Sequence, residues 1–132
     1  MKNPKVLVAD DEPEIVKTLG IRLRARGYEV ISAADGVQAT APACNQLPDV
    51  IILDIGMPAG NGHLVAERLQ ANPKTAGIPI ILLTARTSVG DFKRAFRAGV
   101  KKYITKPFVP EELMESVAQY VEDAAPALLD AP

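Results

Sequence analysis

The chain contains short apolar runs that each stop at a polar or charged residue. Residues 6–9 precede Asp10 and Asp11, residues 50–53 precede Asp54, residues 78–83 precede Thr84, and residues 102–105 precede Lys106. Runs of this length that are rich in Val and Ile predict strands buried on both faces of a parallel sheet. Ligands of open α/β sheets bind beyond the carboxyl ends of the strands, so these five polar side chains are predicted to meet in one crevice.

Helical patterns separate the strands and follow the last one. The first helix has Pro13 in its first turn, where a missing N–H is tolerated, and Gly27 marks its end. A strand with alternating polarity follows over 28–33, and Asp35 and Gly36 then open a second helix that Pro42 shortens or kinks. A third helix begins at Asn61 and stops before Asn72, and a fourth runs from Ser88 and Asp91 to near Gly99. The fifth helix begins at Pro110 and is predicted to bury Leu113, Val117, Tyr120 and Val121. Five strands alternating with five helices predict an α/β fold.

Composition fits one domain. A chain of 132 residues that is 48% hydrophobic can bury an adequate core without a disulfide, and Cys44 has no partner cysteine. The net charge is −1, and with no basic run or aromatic-interleaved Lys/Arg patch recognised we expect no direct nucleic-acid binding. The amino terminus is too short for a signal peptide or membrane span, which predicts a cytoplasmic protein. We expect a folded unit over residues 1–123 and a Pro/Ala-rich tail or linker stub over 124–132.

The clustered acids predict phosphoryl chemistry. Asp10, Asp11 and Asp54 in one crevice repel one another unless a cation neutralises them, and Mg²⁺ suits such a site because it keeps open positions for phosphate oxygens. Phosphoryl transfer to a carboxylate needs a nucleophile and positive charge around the phosphoryl oxygens. Asp54 is the candidate nucleophile, Lys106 supplies an ammonium, and Thr84 supplies a hydroxyl donor. Backbone amides after Asp54 and Thr84 complete the predicted phosphate site.

Four segments, in order and near the expected spacing, carry a resemblance to a known family. They are residues 8–12, 53–58, 83–85 and 103–108. Over about residues 5–122 the chain resembles the receiver domains of two-component response regulators, which have the chemotaxis-regulator fold. The resemblance implies a three-layer, doubly wound, flavodoxin-like fold with a five-stranded parallel sheet of order 2-1-3-4-5.

The same resemblance implies a set of site residues. Asp54 would accept phosphate from the phosphohistidine of a sensor histidine kinase or phosphotransfer protein. The implied ligands of Mg²⁺, or of Mn²⁺ in its place, are Asp11, Asp54 and the Gly56 carbonyl, with Asp10 acting through water. The peptide bond between Lys106 and Pro107 would be cis.

Resemblance to the family also implies a switch. Thr84 would move to bind the phosphoryl group, and Tyr103 would then turn inward and alter the surface formed by the fourth helix, fifth strand and fifth helix. That surface would act on a downstream effector protein or a detached output domain. In similar proteins Gly56 and Arg86 occupy positions that influence how long the phosphoryl group lasts, and we hypothesise that Arg86 hinders the attacking water.

The charges on this surface predict a monomer or weak dimer. Many DNA-binding regulators of the family have two acids before the switch aromatic residue and basic residues on the fifth helix, and these pair across a dimer. Here Lys101 and Lys102 precede Tyr103, and the fifth helix carries Glu111, Glu112 and Glu115. The charges are reversed, which argues against that particular dimer and leaves a different dimer open.

Simpler interpretations compete for several residues. Residues 10–12 could simply cap the first helix and have no role in a site. Tyr103 could be a fixed core aromatic residue. His63 is predicted to lie on the surface without a catalytic role, and Cys44 to be a buried or half-buried packing group.

Other functions with a similar fold or nucleophile fit less well. A haloacid-dehalogenase-like phosphatase needs a second acid where this chain has Gly56, and a flavodoxin-like FMN carrier would have its phosphate repelled by Asp10 and Asp11. The main alternative is an interaction module with this fold that is never phosphorylated.

Overall fold

The computed structural model describes residues 3–54, 62–84, 93, 96, 97 and 99–129. The elements in chain order are β1 Lys5–Ala9, α1 Pro13–Ala25, β2 Glu29–Ala33, α2 Gly36–Gln46, β3 Val50–Asp54, α3 Gly62–Ala71, β4 Ile80–Thr84, β5 Lys102–Thr105 and a C-terminal helix, Pro110–Leu129. All five predicted strands are present.

The sheet is parallel throughout and has the order β2-β1-β3-β4-β5, which confirms the predicted topology. Its register sets the level at which each strand ends. Ala9 of β1 pairs with Leu53 of β3, so Asp10 and Asp54 follow the same rung of the sheet. Thr84 of β4 pairs with Thr105 of β5, the residue before Lys106. The register therefore brings the ends of these four strands to one edge.

Both faces of the sheet are covered by helices. Alternate strand residues point to opposite faces, and the two faces form separate apolar clusters. One cluster joins Leu7, Ile51, Leu53 and Leu82 to Ala39 and Ala43 of α2 and to Val65 and Leu69 of α3. The other joins Val6, Val8, Ile52, Ile81 and Leu83 to Leu19 and Leu23 of α1 and to Leu113 and Val117 of the C-terminal helix. The result is the predicted three-layer architecture.

Local signals in the sequence set several helix ends. Pro13 is the first residue of α1, and Gly27 adopts a φ of 89° just beyond the end of that helix. A left-handed backbone at this position favours glycine because a side chain there would be strained. Asp35 caps α2 by accepting a hydrogen bond from the Gln38 backbone N–H at 2.7 Å.

Some predicted boundaries differ from the structure. Pro42 lies inside α2, which was expected to be shortened or kinked there and continues to Gln46. β4 begins at Ile80 rather than at residue 78. The C-terminal helix runs six residues beyond position 123, because residues 124–129 are mainly Ala and Leu, which have high helix propensity.

Three burial predictions also need correction. His63 is only 1% exposed, although its polarity and its place at a helix start predicted a surface position. It lies one helical turn before the buried Ala66, on the face of α3 that packs on the sheet. Tyr120 and Val121 are half-buried rather than buried. Cys44 is half-buried, as predicted.

Most of the predicted fourth helix, including Ser88 and Asp91, lies outside the described residues. Within it, Lys93, Phe96 and Arg97 have helical backbone, and Gly99 has a φ of 79°.

Candidate functional site

Two carboxylates are buried where β1 and β3 end. Asp10 is 2% exposed and Asp54 is 4% exposed. The Asp10 carboxylate is fixed by its own loop, since the Glu12 backbone N–H donates to Asp10 Oδ1 at 2.9 Å. The Asp10 N–H in turn donates to the Ala33 carbonyl at 3.2 Å, which ties the end of β1 to β2. A buried charge requires hydrogen bonds or a counter-ion, so this arrangement needs a cation nearby.

Lys106 supplies that cation from the end of β5. Its Nζ lies 3.2 Å from Asp10 Oδ2 and 3.3 Å from Asp54 Oδ2. A third oxygen, Glu12 Oε1, lies 3.2 Å from the same Nζ. The Lys106 side chain is 15% exposed, so water screens these ion pairs only in part. The peptide bond between Lys106 and Pro107 is cis.

The acids outnumber this one ammonium. Asp10, Asp11, Glu12 and Asp54 each offer one carboxylate oxygen, and the four atoms lie within 4.8 Å of one another. Asp10 and Asp54 are buried, whereas Asp11 and Glu12 are exposed. Hard oxygen donors that converge on a partly open site fit Mg²⁺, which uses one or two carboxylates and retains waters. The predicted meeting of Asp10, Asp11, Asp54 and Lys106 is confirmed in position.

Glu12 is the residue of this cluster to which the sequence analysis assigned no role. Its carboxylate contacts Lys106 Nζ and belongs to the acidic group. In the sequence, the only sign of a role for Glu12 was its position directly after Asp10 and Asp11. An acid at a helix start is common, however, because it favours the helix cap and the helix dipole. Only the contact across the site distinguishes it.

The pKa values of Asp10 and Lys106 are both raised, but for different reasons. Burial raises the pKa of Asp10 from 3.8 to about 6, and the Asp54 charge adds to this, while the Glu12 N–H and Lys106 counteract it. For Lys106, burial disfavours the ammonium, but the Asp10 and Asp54 carboxylates outweigh burial and raise its pKa. Lys106 therefore stays charged.

Thr84 and Tyr103 lie near the same edge of the sheet. Thr84 is 1% exposed at the end of β4, and its carbonyl accepts a hydrogen bond from the Lys106 backbone N–H at 2.6 Å. Tyr103 is half-buried and pairs in register with Leu82. Residues two apart on a strand share a face, so Thr84 and Tyr103 lie on the same side of the sheet.

Comparison with known proteins identifies the family. A family model described as the response regulator receiver domain matches residues 6–118. The chain belongs to this family. The receiver domain is 39% identical over 114 residues to the DNA-binding dual master transcriptional regulator RpaA of Synechocystis sp., a match that covers 86% of this chain and 47% of RpaA. The chain thus spans about half the length of the curated relatives it matches.

Solved structures agree with this assignment. The chemotaxis response regulator CheY4 of Vibrio cholerae superposes with a TM-score of 0.83 at 33% identity, covering 90% of this chain and 99% of CheY4. The receiver domain of the sensor histidine kinase PA1611 of Pseudomonas aeruginosa superposes with a TM-score of 0.82 at 30% identity, covering 92% and 99% of the two chains. That structure has a magnesium ion coordinated in its active site cleft.

Family membership establishes the general role. The protein is a receiver domain of two-component signal transduction, which is a signalling domain rather than a conventional enzyme. Receiver domains bind Mg²⁺ in an acidic site, and such a cluster is present here. Among the described helices, none combines the length and apolar character that crossing a membrane requires.

Gly56, Arg86 and the backbone amides after Asp54 and Thr84 lie outside the described residues. The expectations that the Gly56 carbonyl binds the metal and that Arg86 prolongs phosphorylation stay predictions. An unchanged dephosphorylation rate in Arg86→Ala would contradict the second.

Proposed function

We propose that Asp54 is the phosphoacceptor of this receiver domain in a Mg²⁺-dependent reaction. The observation that carries the proposal is the position of the Lys106 ammonium, 3.3 Å from the Asp54 carboxylate and 3.2 Å from that of Asp10. These three groups lie at the carboxyl ends of strands β1, β3 and β5, so the fold itself brings the two acids and the cation together.

In the proposed reaction, an Asp54 carboxylate oxygen attacks the phosphorus of a phosphohistidine on a sensor kinase or phosphotransfer protein. The new O–P bond forms as the P–N bond breaks, and the histidine nitrogen leaves with its electron pair. The negative charge on the phosphoryl oxygens must be stabilised as the bonds change.

Two side chains of the chain would provide this stabilisation. Lys106 would exchange part of its contact with Asp10 and Asp54 for one phosphoryl oxygen, as a charged amine on a flexible stem can do. The Thr84 hydroxyl would donate to another oxygen from the end of β4. Both residues are held at this edge by the sheet register, which supports the assignment.

The proposed ligands of the metal are the Asp11 and Asp54 carboxylates and the Gly56 carbonyl, with Asp10 acting through water. Bound there, Mg²⁺ would neutralise the clustered acids and the incoming phosphoryl oxygens. Asp10 would contribute negative charge at a fixed position, because the Glu12 N–H holds its carboxylate in place.

Phosphorylation would then alter a partner surface. As Thr84 turns to the phosphoryl group, Tyr103 would rotate inward on the same side of the sheet and change the surface that includes β5 and the C-terminal helix. A charge change at the site thereby biases a two-state element. We propose that this surface acts on a downstream effector or a separate output domain.

The proposed receiver unit is residues 1–123, with residues 124–132 as a tail or linker. We propose that it works in the cytoplasm, where response regulators generally meet their kinases, and that it acts as a monomer or weak dimer without binding nucleic acid directly.

The test is incubation of the protein with acetyl phosphate and Mg²⁺, followed by intact-mass measurement. We expect a mass gain of one phosphoryl group in the parent protein and in the control Asp49→Asn, which alters an exposed acid that follows α2. Asp54→Asn should show none, and chelation of the metal should abolish the gain in the parent.

A parent protein that gains no mass under these conditions would contradict the proposal and favour an interaction module that is never phosphorylated. An equal gain in Asp54→Asn would show that another residue is the acceptor.

A further inference from the structure

Basic residues are concentrated in one stretch of the chain. Residues 93–102 hold five of the 15 Lys and Arg residues and no Asp or Glu, and Phe96 lies among them. The other 122 residues carry ten Lys and Arg against 16 Asp and Glu. The net charge of −1 conceals this separation, so the expectation that the chain lacks an aromatic-interleaved basic patch is wrong.

The described basic and aromatic residues of this stretch are all exposed. We define the basic patch as Lys93, Phe96, Arg97, Lys101 and Lys102, all of which are exposed. The first three have helical backbone and, at spacings of three and four residues, share one side of the helix.

The turn after this helical segment joins the two parts of the basic patch. The Gly99 N–H donates to the Phe96 carbonyl at 3.1 Å, which closes the segment just before the lysine pair. The Lys101 N–H donates to the Ile80 carbonyl at 2.9 Å, which fixes that pair at the outer edge of the sheet.

Among the described residues, no nearby carboxylate balances the positive charge of the basic patch. No described carboxylate lies within ion-pair distance of its four cations, whereas the exposed Arg22 and Glu111 elsewhere do pair, at 3.0 Å. Phe96 is 78% exposed, more than any other large hydrophobic residue in the described part of the chain. An exposed aromatic side chain in a stretch of exposed cations without described carboxylate partners is typical of an interaction site rather than of a solvated surface.

We propose that the basic patch binds a short acidic segment of a partner protein, whose carboxylates face the four cations and whose apolar side chains cover Phe96. Complementary charge would speed and orient the encounter, and burial of the phenyl ring would supply affinity. The partner's chemistry follows from the patch alone, while its control by phosphorylation rests on the proposed function.

The surrounding charge favours a short acidic segment over nucleic acid or an anionic membrane. A nucleic acid or a charged bilayer is larger than the five-residue basic patch. Beyond the patch it would meet the rest of the chain, in which Asp and Glu outnumber Lys and Arg. A short peptide needs to cover only the patch.

The patch is also placed to respond to the site. Lys102 directly precedes Tyr103, and the Tyr120 hydroxyl of the C-terminal helix donates to the Lys101 carbonyl at 3.0 Å. A rotation of Tyr103 would therefore take place directly beside the lysine pair and its contact with that helix.

The experiment measures binding by fluorescence anisotropy with labelled peptides. The probes are peptides of about a dozen residues with four Glu and two or three Leu in several registers, the same peptides with Gln for Glu, a single-stranded oligothymidine, and vesicles of phosphatidylglycerol and phosphatidylcholine. We expect at least one acidic peptide to bind more tightly than its Gln counterpart and than the oligonucleotide or vesicles.

Variants assign the binding to the patch. The double variant Lys101→Glu, Lys102→Glu should weaken binding of the acidic peptide by about 10-fold or more, and Phe96→Ala should weaken it by a similar factor. The matched control Arg26→Glu, Lys74→Glu reverses two exposed cations elsewhere and should leave binding unchanged. Circular dichroism checks that each variant folds.

Several outcomes would overturn the inference: binding of none of the acidic peptides at low salt, equal loss in the control variant, or preference for the oligonucleotide or vesicles. A dimer detected by sedimentation that the lysine variant dissociates would assign the patch to a second copy instead. Acetyl phosphate labelling of the lysine and Phe96 variants is a separate readout, so a failed patch with normal labelling leaves the proposed function intact.

Discussion

At the scale of single residues, the site is a balance between buried acids and one ammonium. Lys106 contacts Asp10, Asp54 and Glu12, yet the acids it faces carry more negative charge than it can neutralise. Burying Asp10 and Asp54 is costly, and the cost is offset only in part. The metal-free protein therefore retains electrostatic strain that a divalent cation would relieve.

This strain makes the stability of the metal-free protein depend on pH. Because the folded-state pKa of Asp10 is about 6 and its ordinary value is 3.8, the folded state binds the Asp10 proton more tightly than the unfolded chain does. The resulting stabilisation is complete below pH 3.8 and is lost as pH rises through about 6.

We therefore expect Asp10→Asn to raise the free energy of unfolding of the metal-free protein at neutral pH by roughly 1–3 kcal/mol. The gain should shrink as pH falls below about 6, where Asp10 in the parent is protonated. Urea denaturation with chelator across this range measures it, with the exposed Glu14→Gln as control. A gain that persists unchanged at low pH would contradict the electrostatic explanation.

At the scale of elements, strand register and helix caps place the site. The pairing of Ala9 with Leu53 and of Thr84 with Thr105 brings four strand ends to one level. The end of β1 is tied to the end of β2 by the hydrogen bond from the Asp10 N–H to the Ala33 carbonyl. Shortly after Ala33, the chain enters α2, which Asp35 caps. The cap of α2 consequently supports the segment next to the acidic cluster.

Removing this cap should destabilise the fold without touching the acids. Asp35→Ala leaves the Gln38 N–H without its 2.7 Å acceptor, and we expect a loss of about 1 kcal/mol in the free energy of unfolding. Asp35→Asn keeps an acceptor oxygen and should lose much less. Equal losses in the two variants, measured by urea denaturation, would mean that the carboxylate charge rather than the cap matters.

At the scale of the whole molecule, metal binding and folding are linked. The four acids meet only when β1 and β3 are paired, so the unfolded chain cannot offer the same site. A ligand that binds only the folded state stabilises it in proportion to the logarithm of its concentration.

We expect Mg²⁺ to raise the free energy of unfolding by about 2.7 kcal/mol at a free concentration 100 times its Kd. Thermal denaturation against Mg²⁺ concentration measures this. The exposed Asp11→Asn should lose most of the effect, whereas Glu14→Gln should retain it. A Tm that does not respond to Mg²⁺ in the parent would contradict a metal site at this cluster.

Much of the fold could be predicted because its signals are local. Apolar runs predicted the strands, and Pro13, Gly27 and Asp35 marked helix ends through backbone constraints that act within a few residues. The helix ends were less predictable because competing local effects meet there: Pro42 disfavours a helix although α2 continues to Gln46, and the Ala-rich segment after position 123 continues the last helix.

By itself, the sequence determined which residues end the strands and therefore which groups could meet: Asp10, Asp11, Asp54 and Lys106 follow from the alternation of strand and helix. Only the tertiary structure decided the contacts made across the sheet. It brought Glu12 to Lys106, buried His63 against the core and left Phe96 exposed among cations. Position along a strand is a local property, whereas burial and charge pairing depend on what distant segments place opposite each side chain.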